Sequence, residues 1–147
     1  MTKEVKEILR KELRLLTKAG DVLKYTYDLC SGIEIKGEFS QNELDKLELL
    51  TARFARTSDI LIQKTLRTID ELELEPEGTV RDRIHKAEKR GIISNSGQLI
   101  DIRELRNQIA HDYLPEELNE IFGLVIELTP VLLGSIENII KYSQKFA

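Results

Sequence analysis

The sequence predicts an all-α fold, an up-and-down bundle of about five helices, three long and two short. Three observations predict it. Apolar residues recur at spacings of three and four over three long stretches, the period of a helix that buries one stripe. Leu, Ile, Glu and Lys are abundant, Trp is absent and there are only 3 Pro, a mix that favours helix over sheet. Gly and Pro gather at a few points, which divide the chain into helix-sized pieces. The length of 147 residues suits one domain with one core, spanning 1–147.

The first segment has apolar residues at Val5, Ile8, Leu9, Leu15, Leu16, Ala19, Val22, Leu23, Leu29, Cys30 and Ile33, a spacing of three and four that marks one face of a long amphipathic helix. "SGIEIKGEFSQNEL" reads as a loop, with Ser40 or Asn42 as the cap of the next helix. The second helix spans about Glu43 to Leu72. Leu47, Leu50, Phe54, Leu61 and Ile69 line one side, while Leu44, Ala55, Ile62 and Leu66 widen the stripe, so it should pack against more than one neighbour. Pro76 and Gly78 break it. Thr79 can cap a short basic helix, "VRDRIHKAEKR", which Gly91 closes. "IISNSGQ" is a turn, and a fourth helix buries Leu99, Ile102, Leu105 and Ile109. Pro115 starts the fifth, with Glu116 and Glu117 at the positive end of its dipole. Pro130 lies inside the apolar stripe of that helix and should kink it about one turn earlier.

Apolar residues at 41% and charged residues at 33% exclude a disordered chain. The one cysteine, Cys30, can form no disulfide or metal framework within the chain, which points to a reducing compartment. The start, "MTKEVKEILRKELRLL", alternates charges and resembles neither a signal peptide nor an anchor. No later window is expected to approach the ~20 apolar residues of a membrane span, so a cytoplasmic location is expected. A net charge of −4 argues against broad nucleic-acid binding. The charge is uneven, however. Residues 81–106 hold seven basic and four acidic side chains, and 115–147 hold five Glu against two Lys. The basic run is a solvated helix face or a local basic surface.

Chemistry concentrates in "RELRNQIAHDYLPEE", residues 103–117. Arg106 and His111 are five apart and would diverge by about 140° on a continuous helix. The helix is predicted to end near the histidine, because Leu114 precedes a proline and is pushed out of the helical region. Both side chains could then reach one cleft. Arginine binds phosphate with a two-point fork. Histidine exchanges a proton near neutral pH. Asn107 can donate to a phosphate or sugar oxygen, or brace the histidine. The set suits metal-free RNA cleavage, in which a base takes the ribose 2′-OH proton and a cation stabilises charge on phosphorus. His85 and His111 lie far apart with no carboxylate cluster at ligand spacing, so no metal site is read. By spacing alone, Arg106, Asn107 and His111 serve equally well as helix caps and dipole partners, and Tyr113 as a half-buried aromatic.

The string "RNQIAHDY" resembles the signature of HEPN domains, and most of all the HepT-like branch: Arg, four residues, His, one residue, Tyr. Arg106, His111 and Tyr113 match it without a gap, and Asn107 matches the polar residue that follows the arginine. "RFARTSDILIQKTLRTIDEL", "HKAEKRGIIS" and "LIDIRELRNQIAHDYLPEEL" are similar to successive middle segments of that family, over roughly 45–120. The resemblance implies a HEPN-like helical homodimer with two motifs in one cleft, acting as a metal-independent ribonuclease without cofactor. HepT-like members are toxins paired with a minimal nucleotidyltransferase antitoxin, MntA, which silences them by transferring AMP to the motif tyrosine. On that match Arg106 and His111 are catalytic, Asn107 and Asp112 support them, and Tyr113 is the modification site. A bulky adenylate there would block the cleft and repel RNA phosphate.

Arg53, Arg56 and Asp59 are spaced by three within the second helix and neighbour one another. They read as a helix-surface ion pair or as a buried or interfacial network near the cleft. His85 and Cys30 read as structural. The competing function is a non-catalytic nucleotide- or substrate-binding subunit of a separate nucleotidyltransferase, and a third is a helical dimer with an inactive cleft. The second helix and the motif helix are the expected dimer contributors.

Overall fold

The computed structural model describes residues 2–111 and 114–147, and every regular element among them is helical. The order is α1 (Thr2–Leu29), α2 (Gln41–Asp59), a π-helical segment (Ile60–Thr65), α3 (Leu66–Leu72), α4 (Val80–Lys89), α5 (Ser96–Ala110) and α6 (Leu118–Ser143). The π segment joins α2 to α3 without a break. The bundle therefore has five rods, as the sequence predicts.

Local chemistry sets most of the boundaries. Ser40 caps α2: its hydroxyl accepts from the Glu43 N–H at 3.1 Å, and Glu43 accepts from the Ser40 N–H at 2.9 Å. Thr79 and Asp82 form the same box at α4. Gly91 ends that helix at φ 79°, a conformation glycine adopts without steric cost. The stretch read as a turn after it is shorter than expected. Asn95 caps α5 by accepting from the Gln98 N–H, so Ser96, Gly97 and Gln98 already form the first helical turn.

The core runs through all five rods. On α1, Leu9, Leu16 and Leu23, with Cys30 just past its end, are buried at intervals of seven. The wide apolar face expected of α1 is only partly buried: Ile8, Val22 and Leu29 are 48%, 43% and 39% exposed. They form a second row of the same period, which faces aside once the first row turns to α2, α3 and α6. Gly20 permits the approach to α6, since a Cβ there would lie 2.8 Å from Ile136 Cδ1. Phe54, Leu61, Leu66 and Ile69 are buried along the second rod, which packs against α1, α5 and α6.

One expectation needs correcting. Pro115–Phe146 is, by length and composition, long and apolar enough to cross a membrane, an 18-residue window within it reaching a mean hydropathy of 1.5. Between Ile121 and Ile136 the only charge is Glu127. Here the helix buries Ile121, Phe122, Val125, Leu132 and Ile139 in the bundle. α6 is helical through Pro130, whose ring nitrogen cannot donate to the Ile126 carbonyl.

The chain end is tied back to α3. The Tyr142 hydroxyl and Lys145 Nζ both donate to Glu73 Oε1, and these bonds, Tyr142 first, hold the Glu73 carboxyl below its usual range. A depressed carboxyl stabilises the fold above its unfolded pKa, and that contribution is lost as pH falls through the folded value. The expected result is a small acid-side loss of stability that Glu73→Gln removes. Urea unfolding at pH 7 and pH 3 checks it, and an identical pH dependence in the variant would refute it.

Candidate functional site: a cationic cleft beside a π-helical segment

Leu99, Ile102 and Leu105 are buried and fix the rotation of α5. Arg103, Arg106 and Asn107 then lie along one side of it, facing the second rod across a cleft of about 410 Å³. The opposite wall comes from Ser58, Asp59, Ile62, Gln63 and Lys64. Those five residues straddle the junction of α2 and the π segment. Three cations, Lys64, Arg103 and Arg106, face one carboxylate, Asp59.

The π turn is supported on several sides. Leu66 N–H reaches five residues back to the Leu61 carbonyl. The Thr65 hydroxyl donates to the Ile60 carbonyl at 3.0 Å, and Arg83 Nη1 on α4 donates to the Ile62 carbonyl at 3.2 Å. Such turns insert one extra residue into a helix and occur frequently at functional sites. This one carries Ile62, Gln63 and Lys64 to the cleft.

Arg106 meets Asp59 with its fork. Its Nε donates to Oδ1 at 2.5 Å and its Nη2 to Oδ2 at 2.8 Å. Both side chains are partly open to solvent, at 31% and 37% exposure. The bonds to Asp59 raise the guanidinium pKa above its ordinary value, so Arg106 stays charged. A planar cation held at two points is an oriented group, with its remaining N–H donors free to meet an anion.

α5 ends at Ala110, where the sequence places the break. His111 is extended, at φ −97° and ψ 157°, and its N–H closes on the Gln108 carbonyl at 3.2 Å. Leu114 is extended too, at ψ 149°, before Pro115 opens a 3₁₀ turn. The His111 side chain is exposed and does not line the cleft. The structure therefore brings Arg106 and Asn107 together with Asp59 and leaves His111 on the exit from the helix. Asp112 and Tyr113 lie outside the described residues.

The trio on α2 is divided. Among the described residues no ion pair joins Arg53 or Arg56 to Asp59, which corrects the surface ion-pair reading. Successive steps of three turn about 60° around a helix, and over two of them Asp59 leaves the face of Arg53. Arg53 donates to the Thr26 hydroxyl on α1, and Arg53 and Arg56 line a separate groove with Leu15, Lys18 and Val22. Arg103, Lys64 and Gln63 are site residues that motif reading passed over. A polar pair interrupting "DILIQKTL" is the sequence signal of Gln63 and Lys64, and Arg103 belongs to the basic run of 81–106. Cys30 is buried, with its thiol pushed up by that burial, and His85 is exposed. No group of three or more metal-ligating side chains forms among the described residues.

No family model matches the chain, and neither the curated proteins nor the solved structures yield a significant match.

Proposed function

We propose that the protein is a metal-independent endoribonuclease, the toxin of a HEPN-type pair in the cytoplasm, with an MntA-like minimal nucleotidyltransferase as its antitoxin. The observation that carries this reading is the oriented guanidinium of Arg106 in a cationic cleft, one helical turn before the chain breaks at His111. In the proposed reaction His111 removes the proton of a ribose 2′-OH. The freed oxygen attacks the adjacent phosphorus, the bond from phosphorus to the 5′-oxygen of the next nucleotide breaks, that oxygen takes a proton from water, and a 2′,3′-cyclic phosphate remains. Arg106 stabilises the charge that builds on the phosphorus oxygens, and Asn107 donates to the same group or braces the histidine. His111 stands outside the cleft of the single chain. The reading accordingly requires a homodimer in which two α5 ends meet and the histidine of one copy reaches the phosphate held by either. Transfer of AMP to Tyr113 would close that cleft with bulk and negative charge.

The test is cleavage of single-stranded RNA by the unmodified protein in EDTA, with analysis of the product ends. Cyclic phosphate ends from the wild type and none from His111→Ala are expected. Because His111 is exposed, the variant should melt with the wild type. Loss of thermal stability by many degrees would instead make the histidine structural. A second reading, a nucleotide-binding subunit for a separate nucleotidyltransferase, draws on the absence of a free general base among the described cleft residues. Tight AMP binding without cleavage of any RNA would favour it.

Asp59 should act as a positioning residue. Asp59→Asn removes the charge that aligns Arg106, and it also removes the one negative charge from the cleft. RNA is then expected to bind several-fold more tightly while kcat falls roughly tenfold, since misplacing a reacting partner by ~1 Å costs up to ~100-fold. Separate kcat and KM values check it. A raised KM with unchanged kcat would show that Asp59 builds the binding site and does not orient the arginine.

A further inference from the structure

We propose that Arg103, with Lys64 across the cleft, forms a second phosphodiester subsite that holds the RNA strand beside the phosphate engaged by Arg106. The proposal rests on the ribonuclease reading for the identity of the strand, and on the cleft itself for the site.

Arg103 and Arg106 are three apart on α5 and so are neighbours on one face, about 5–6 Å apart at Cβ. Their circumstances differ. The fork of Arg106 is engaged by Asp59 at two nitrogens. Arg103 also lines the cleft, but its Nε is buried without a hydrogen-bond partner. A buried donor left unpaired is costly, and native structures nearly always satisfy such groups with protein, water or a ligand. The Nε of Arg103, like that of Arg83 behind it, lacks an acceptor, whereas two nitrogens of the Arg106 fork already have one, so of the two cleft arginines Arg103 is the one whose guanidinium is not committed to a carboxylate.

The surroundings specify an anion. Lys64 faces Arg103 from the π segment. Behind them, Arg83 is only 11% exposed, and burial lowers its pKa, with Arg67 and Arg103 adding to the effect as like charges. Four cations therefore share this side of the second rod. The nearby acid, Asp70, is already committed to Arg83, Lys86 and Arg90. An anion entering between Arg103 and Lys64 would complete a charge arrangement that the fold leaves one-sided. A single phosphate on Arg106 would leave Arg103 unused, whereas a strand offers a further phosphate within reach.

The probe is a fluorescein-labelled single-stranded RNA whose riboses are 2′-O-methylated, so it binds and cannot be cleaved. Affinity is measured at several salt concentrations for the wild type, Arg103→Gln and Lys64→Gln, with AMP as competitor. Each variant is expected to bind about tenfold more weakly. The slope of log affinity against log salt should fall by about 0.7, the value of one phosphate contact on a single strand. AMP should compete poorly. Lys64 is exposed, so its variant tests the site even if Arg103→Gln destabilises the bundle. Wild-type affinity and slope in both variants would overturn the subsite while leaving the nuclease reading intact. Weakened binding in both, beside a wild type that never cleaves unmodified RNA, would support the subsite and refute the nuclease. AMP binding tightly where the strand does not bind would overturn the strand assignment.

Discussion

Arg106→Ala is expected to lower kcat for RNA cleavage by about 10²–10³, the scale on which a single preorganised donor to a developing oxyanion acts. The reason lies in what surrounds the guanidinium. Asp59 fixes it at Nε and Nη2, and the same bonds keep it charged. Its orientation is set before substrate arrives, so little reorganisation is needed when charge builds on the phosphate. Stability should change by no more than ~1 kcal/mol, because the pair is partly solvated and exposed pairs contribute little. Arg106→Lys is the sharper variant. It keeps the charge and loses the planar fork, so it cannot bind Asp59 at two points and present further donors in the same plane. It should recover little of the lost rate. A lysine variant with wild-type kcat would show that a point charge suffices and would remove the orienting role of Asp59. A wild-type rate in the alanine variant would end the assignment of Arg106 to the chemistry.

The parts of this site legible in the sequence are those built by short-range chemistry. Leu114, pressed against Pro115, is extended as the sequence requires, while α5 has already ended at Ala110 with His111 extended. Ser40, Thr79 and Gly91 mark their helix ends for equally local reasons. The partner of Arg106 was not legible in this way. Asp59 lies 47 residues earlier, and its nearer neighbours in sequence, Arg53 and Arg56, offered a simpler pairing. That pairing fails because Arg53 turns to Thr26 on α1. The π segment also left no trace, since "ILIQKT" has an ordinary helical composition and the extra residue depends on supports from elsewhere, such as Arg83. On α1, two apolar rows of the same period are both visible in the sequence, and only tertiary packing decides which of them is buried. The length of apolar chain around α6 was underestimated because Gly123, Thr129, Gly134 and Ser135 interrupt the aliphatic residues without adding charge.

The second large effect concerns the support of the cleft. Asp70→Ala is expected to destabilise the bundle by about 3–5 kcal/mol, the usual cost of removing one partner from a buried ion pair, and to lower Tm by on the order of 10 °C. Asp70 is 3% exposed, and three cations of α4 and its C-terminal end converge on it. Arg90 donates to its Oδ1, Lys86 Nζ lies 3.3 Å from Oδ2, and Arg83 Nε lies 3.8 Å from Oδ2. The cations themselves are 11–18% exposed, so none can turn fully to water when the carboxylate goes. For Arg83, burial already outweighs the help of Asp70 and lowers its pKa. For Arg90, burial is outweighed by its bonds to Asp70 and Glu75, and its pKa rises. Loss of Asp70 would leave Arg83 the worst placed of the three. Arg83 is also the donor to the Ile62 carbonyl in the π turn, so the damage should spread to the wall that carries Lys64. Urea unfolding of Asp70→Ala and Asp70→Asn measures the loss, and binding of the 2′-O-methylated RNA to the folded fraction measures the spread. A loss below ~1 kcal/mol would mean that the three cations find other partners. A full stability loss with unchanged RNA affinity would separate the hub from the cleft.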